Sequence, residues 1–194
     1  MARSRIKSAV EILSSDPVMK KLVDSHDPPR IGKNPVFFSL VRAVISQQLS
    51  EAAASTIFKR LSAIAAITPE ALSSLDVDTF RTCGISTPKA RYIIGIVEAA
   101  LSGQLENFDN LSDEDSIKSL VKLKGVGRWT AEMILIFSLG REDVWPCDDA
   151  GLLRVAKNLF GIQNVAGFID LGERFRPYRT HVAWYLWASL DTRS

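Results

Sequence analysis

The stretch LKGVGRWTAEMILIF, residues 123–137, sets two glycines and a tryptophan at the head of an otherwise apolar run. The run reads as a helix, yet a helix start needs neither glycine, and each costs extra entropy to order. Upstream, SIKSLVKL (116–123) shows helical apolar spacing behind the acidic turn SDED, which suits a helix N-terminus. The segment is therefore helix, four-residue turn KGVG, helix, over about residues 113–139. Two accounts of the glycines compete. In one, a tight turn between helices uses them for positive φ. In the other, an anion comes close: Lys122, Lys124 and Arg128 flank the turn with no acid between them, and glycine N–H groups beside a helix N-terminus form an anion site. The second account predicts a phosphate clamp built from Gly125, Gly127, Lys124 and Arg128, indifferent to base sequence.

Outward from this turn the same helical grammar repeats. Asp16-Pro17, Thr68-Pro69, and Ser86-Thr87-Pro88 each read as a cap followed by proline in a first turn, and Gly84 reads as a helix stop. A strongly apolar helix is expected from Pro35 to about Leu49, stopping at SQQLS before EAAASTIFKRLSAIA opens the next. DDAGLLRVAKNLFG and YRTHVAWYLWASL are the late helices, and HDPPRIGKNP (26–35) is a loop. No strand pair or internal repeat stands out. The expected fold is all-α, about ten short helices forming one domain over residues 1–194.

Composition excludes several classes. Cys83 and Cys147 are the only cysteines, so this chain cannot supply a four-cysteine zinc or iron–sulfur site. Two thiols fit a reducing compartment, with a single disulfide between them as the alternative. The basic start meets Asp16 too early for a signal peptide, and no apolar stretch reaches the ~18 residues of a membrane span, so an intracellular protein is expected. The net charge of +2 does not by itself demand an anionic partner; local clustering must carry that argument. His26 and His181 are the only histidines, with no serine motif beside them, which leaves a hydrolase triad unsupported. Arg174, Arg176 and Arg179 form a late basic cluster, either a solvated face or a phosphate contact.

The order of motifs resembles the helix–hairpin–helix DNA glycosylase superfamily, in particular the AlkA-type 3-methyladenine DNA glycosylases. LKGVGRWTA is similar to its hairpin. GREDVWPCDDAGLLRV is similar to its Gly/Pro loop and following acid, and Asp149 stands 20 residues beyond Trp129. The resemblance spans roughly residues 30 to 190 and leaves no room for the N-terminal β-domain of some members. It implies two packed helical lobes with an active-site cleft between them, and a monomer acting on double-stranded DNA that contains damaged bases.

It also implies roles. Asp149 matches the catalytic carboxylate, which leaves Asp148 as the expected helix cap. One carboxylate suffices, because breaking an N-glycosidic bond builds oxocarbenium-like charge that an anion stabilises while orienting a water. Trp129 occupies the position of the lysine nucleophile in bifunctional members; an indole forms no Schiff base, so no strand cleavage is expected. Trp129 and Trp187 match pocket tryptophans, with Met133 and Phe38 alongside, whereas Trp184 is expected to pack in the core. Gln48 in SQQLS matches the residue that fills the space of the flipped base, with Leu49 as the neighbouring alternative; capping by Gln47 and Gln48 is the plainer reading. The carbonyls of Val121, Leu123 and Val126 match a monovalent cation site, and no other cofactor is expected. The implied activity is excision of alkylated purines. Removal of deaminated bases such as uracil or hypoxanthine, or DNA binding without catalysis, are the alternatives.

Overall fold

The computed structural model describes residues 2–29, 31–32 and 34–191; in the loop expected at 26–35, Arg30 and Lys33 lie outside this set. Twelve α-helices, one 3-10 turn at Phe108–Asn110 and no strand occur among the described residues. They are α1 (Ala2–Leu13), α2 (Pro17–Ser25), α3 (Val36–Ser46), α4 (Glu51–Ile64), α5 (Pro69–Leu72), α6 (Val77–Thr82), α7 (Thr87–Leu101), α8 (Asp113–Leu120), α9 (Arg128–Phe137), α10 (Ala150–Phe160), α11 (Val165–Glu173) and α12 (Arg179–Asp191). Contacts divide the chain into two units: residues 32–139, holding α3 to α9, and residues 1–31 with 140–194, holding the rest.

In the 32–139 unit, α3 lies against α4, α7 and α9. Leu40, Val41 and Val44 of α3 and Ala90, Ile93 and Ile96 of α7 are fully buried, at the three- and four-residue spacing that keeps apolar groups on one helix face. Side-chain oxygens cap most helix starts here: Ser50, Thr68, Asp76 and Ser112 accept from backbone N–H groups of α4, α5, α6 and α8. Gly84 ends α6 at φ +95°, its N–H on the Arg81 carbonyl and that of Ile85 on the Phe80 carbonyl, the left-handed stop expected from sequence. Helix α8 stops at Leu120, three residues short of expectation, because successive turns at Lys122, Leu123 and Val126 replace its last helical bonds.

In the other unit, α12 packs on α10 and α2 around Met19, Leu152, Phe168, Val182 and Leu186. Helix α11 was not anticipated: its glycines, Gly167 and Gly172, weaken the helical pattern. The structure supplies the reason for Gly172. The indole of Trp145 lies against it, hydrogen-bonded to the Phe168 carbonyl at 3.0 Å, and a β-carbon at 172 would come within 2.6 Å of its Nε1. Ring burial thus outweighs helix propensity.

His181 of α12 is 1% exposed and stands edge-on to Tyr178. Burial pushes its pKa from 6.5 down to about 4. The ring is neutral when folded but charges in the unfolded chain below pH 6.5, so its contribution to stability is complete above that pH and is lost as pH falls through about 4. Unfolding free energies measured across this window should fall more steeply for the native chain than for His181→Leu, the difference approaching ~3 kcal/mol at the acid end. Parallel curves would show that burial does not lower the histidine's pKa.

Candidate active site

The hairpin between α8 and α9 separates the two glycines by cause. Gly125 has φ +86°, and a β-carbon there would meet the Tyr92 ring of α7, with Cγ only 2.8 Å away. Its missing side chain is accounted for inside the protein. Gly127 instead has φ −88° and ψ 173°, ordinary extended backbone, and nothing lies within 4 Å of its β-carbon position. It is the N-cap of α9, offers no side chain to the first turn, and the first helical bond runs from Ala131 N–H to its carbonyl. Open space at an uncapped helix start suits an acceptor from outside the protein.

The cations of the turn divide too. Lys122 and Lys124 are exposed. Arg128 does not match the free cation expected from its sequence neighbourhood: its guanidinium donates to both carboxylate oxygens of Glu114, at 3.3 and 3.0 Å, and to Glu132 at 3.1 Å. Both acids lie outside the 122–128 interval, one on each flanking helix, so the interval alone could not reveal them. The fork geometry of arginine suits such bridging; the Glu114 bond raises the Arg128 pKa and lowers that of Glu114. Leu123, one of the three carbonyls in the expected cation site, accepts from Val126 N–H at 3.0 Å. The late arginines are also engaged. Arg174 pairs with Asp16, Arg176 with Glu173 and Asp143, and Arg179 with Asp143 and Glu173. They tie the chain together rather than present a bare basic face.

Loop 46–50 follows α3. Gln47 is the C-cap of α3, and its side-chain Nε2 donates to the Gly125 carbonyl at 2.8 Å. Gln48 is exposed at φ +59°, a left-handed conformation uncommon outside glycine. The capping alternative therefore describes Gln47 and not Gln48. Such backbone outliers recur at functional sites. Trp129, on the first turn of α9, is 47% exposed, unusual for so large an apolar ring, and Met133 lies one turn further along the same helix. Phe38, half-buried on α3, sits edge-on to Phe58 of α4, 5.3 Å between ring centres.

In the other unit, Asp149 is the N-cap of α10. Its Oδ1 accepts from Leu152 N–H at 2.8 Å, and its Oδ2 accepts from the Trp187 indole at 3.2 Å. This corrects the assignment of capping to Asp148, which is exposed; Asp149 immediately precedes the first helical residue and does that work itself. One donor on each oxygen fixes the plane of the carboxylate. Gly151 keeps its surroundings open, since a β-carbon there would come within 3.1 Å of Oδ1. The Trp187 indole is thus an orienting donor, a role that spacing could not disclose across 38 residues. Trp184, expected in the core, packs on the same cluster and donates to the Asp27 carbonyl.

A family model for HhH-GPD superfamily base excision DNA repair proteins matches residues 41–169. The chain belongs to that family. The match takes in loop 46–50, the hairpin and Asp149, while Trp187 lies beyond it. Among HhH-GPD relatives, DNA-3-methyladenine glycosylase 1 of Schizosaccharomyces pombe is 40% identical over 178 residues, covering 86% of this chain and 78% of that protein. The alkylbase DNA glycosidase-like protein mag2 of the same yeast is 36% identical, over 95% of this chain and 93% of its own. A solved structure of S. pombe 3-methyladenine DNA glycosylase in complex with abasic DNA superposes with a TM-score of 0.80 at 37% identity, covering 93% of this chain and 95% of that one.

The two glycines give opposite expectations. Gly125→Ala should destabilise the fold by ~1–3 kcal/mol, since the added carbon meets an aromatic ring and needs a strained φ. Gly127→Ala should melt within a degree or two of the native chain yet bind plain and damaged duplex more weakly, by similar factors. Thermal melts with binding isotherms on both duplexes decide this; unchanged affinity in Gly127→Ala would remove phosphate from that turn.

Proposed function

We propose that the chain is a monofunctional DNA glycosylase that excises alkylated purines of the 3-methyladenine and 7-methylguanine type during base excision repair, acting on double-stranded DNA as a monomer, in the nucleoid or nucleus. The observation that carries this reading is the Asp149 carboxylate held by Leu152 N–H and the Trp187 indole, within an HhH-GPD chain whose relatives are named for 3-methyladenine or for alkylated bases.

The chemistry follows from that carboxylate. As the bond between deoxyribose C1′ and the purine nitrogen breaks, positive charge grows on the sugar, and a fixed anion nearby lowers that barrier. A water oriented by the same carboxylate adds to C1′ and gives up its proton, leaving an abasic site. The electron pair of the broken bond stays with the purine. Because alkylation has already made that purine cationic, it leaves as a neutral base without a general acid. Neutral, undamaged bases lack this advantage, which supplies selectivity before any pocket contact is counted.

The remaining residues grip and expose the base. Gly127, with Lys124 and Lys122, would hold phosphate at the uncapped start of α9, positioning without reading sequence. Gln48 would fill the stack left by the flipped nucleotide. The Trp129 and Trp187 rings offer π-faces that a cationic purine favours by ~0.5–2 kcal/mol each, and Met133 adds an adaptable apolar contact. A sodium or potassium ion on the carbonyls of Val121, Leu123 and Val126 would add positive charge to the same turn; no step here depends on it. Trp129 in place of a lysine supports hydrolysis without a lyase step.

Duplexes carrying single defined lesions, incubated with the protein and then treated with alkali, test the substrate class. Cleavage is expected at alkylated purines and not at uracil or hypoxanthine. Asp149→Asn should lower excision by at least ~10²-fold, by the scale of such electrostatic stabilisation, while duplex affinity changes less than tenfold and the fold stays intact, because asparagine caps a helix as well as aspartate. An inactive Asp148→Asn beside an active Asp149→Asn would overturn the assignment. Before alkali the strand should be intact, and borohydride should trap no protein–DNA adduct.

A further inference from the structure

Helix α7 presents two side chains that the proposed chemistry does not use. Lys89 and Tyr92 are three residues apart and so share one helix face. The Lys89 ammonium donates to the carbonyls of Ile45 at 2.8 Å and Gln47 at 2.6 Å, at the end of α3 where carbonyls lack helical donors and a cation suits the dipole. Burial lowers the Lys89 pKa. Tyr92 lies beneath Gly125 of the hairpin. Gln47 closes the figure: its carbonyl accepts from Lys89, and its side-chain amide donates to the Gly125 carbonyl at 2.8 Å. Loop 46–50 and the hairpin therefore rest on one face of one helix and are bonded to each other. At the loop's tip stands Gln48 in its left-handed conformation, over a cavity of about 220 Å³ shared with Leu49, Ile85 and Lys89.

The geometry points to Gln47 and Lys89 as positioning residues that lock the loop carrying Gln48 to the phosphate-gripping hairpin, so that the grip on the backbone fixes where Gln48 enters the duplex. This rests on the reading of Gln48 as the residue that fills the vacated stack. Neither Gln47 nor Lys89 touches DNA in this account; each acts through Gln48. Their loss leaves phosphate contacts in place, so binding to plain duplex persists. What suffers is extrusion of a base that is well stacked and paired, where unstacking costs most. A lesion opposite a mismatch is already loosened and depends less on the wedge.

The test is single-turnover excision of one alkylated purine, placed either in a normal pair or opposite a mismatch, with plain-duplex affinity and melting temperature measured alongside. Gln48→Ala is the reference, and it should slow the paired substrate more than the mismatched one. Gln47→Ala should slow the paired substrate by about threefold to tenfold, the worth of one hydrogen bond, with little change on the mismatched substrate or in plain-duplex affinity. Lys89→Met should do the same, and Lys89→Arg should restore part of the loss. In the double variant Gln47→Ala/Gln48→Ala, the Gln47 change should add nothing on the paired substrate, because a residue acting through Gln48 has no effect once Gln48 is gone. Equal losses on both substrates in Gln47→Ala, or full additivity in the double variant, overturn the proposal while the wedge stands. No paired-versus-mismatched difference in Gln48→Ala overturns the wedge reading itself. Should Lys89→Met fail to fold, the Gln47 series decides alone.

Discussion

The contact between the Tyr92 ring and the Cα of Gly125 is the constraint on which the 32–139 unit is arranged. It requires residue 125 to lack a side chain and to hold a left-handed backbone, and it sets the hairpin on α7 at a fixed height. Once the turn is placed, its carbonyl at 125 is available to Gln47, and α9 begins three residues later, at Arg128, with no side-chain cap. A rigid aromatic under a flexible residue is an effective way to stiffen a turn, since a ring loses little entropy on burial while glycine loses most. The stiff turn in turn carries both the exposed indole of Trp129 and the lysines beside it.

Charge is distributed with the same economy. Arginines 128, 174, 176 and 179 all engage carboxylates, where planar, bidentate bonding suits them. Lys122 and Lys124 stay exposed beside the open glycine, as hydrated point charges suited to a phosphate backbone that offers no fixed orientation. The open glycine is thus flanked by two exposed lysines, while Arg128 beside it is taken up by Glu114 and Glu132. Association should accordingly respond to salt through few phosphate contacts.

Most of the fold was legible because its punctuation is local. Asp16-Pro17, Thr68-Pro69, Asp76 and Gly84 mark helix ends by chemistry that acts within three residues. Helix α11 was not legible, because Gly172 answers to Trp145, 27 positions earlier in the sequence, and local propensity cannot register such a demand. The site divides along the same line. The hairpin, Asp149 and Gln48 carry signals in spacing and residue type. The partners that give them orientation do not: Trp187 reaches Asp149 from 38 residues away and Gln47 reaches Gly125 from 78. Arg128 illustrates the converse hazard, since a basic residue in a basic stretch was bound by acids on the two flanking helices.

The double duty of Asp149 bears on descent. A residue that only carried charge would be exchanged freely once its chemistry was no longer selected, and one that only capped a helix would drift among serine, threonine and asparagine. Here both demands fall on one side chain: Leu152 N–H needs an acceptor at 149, and the partly buried Trp187 indole takes another. Asparagine keeps an acceptor oxygen for the helix at nearly the same volume, and a single nucleotide change in the codon converts aspartate to it. On the catalytic role proposed for Asp149, a lesion-binding variant that no longer cuts the glycosidic bond therefore lies one nucleotide change away, because asparagine still caps the helix. On that reading, damage recognition and damage removal part company through inheritance at a single codon.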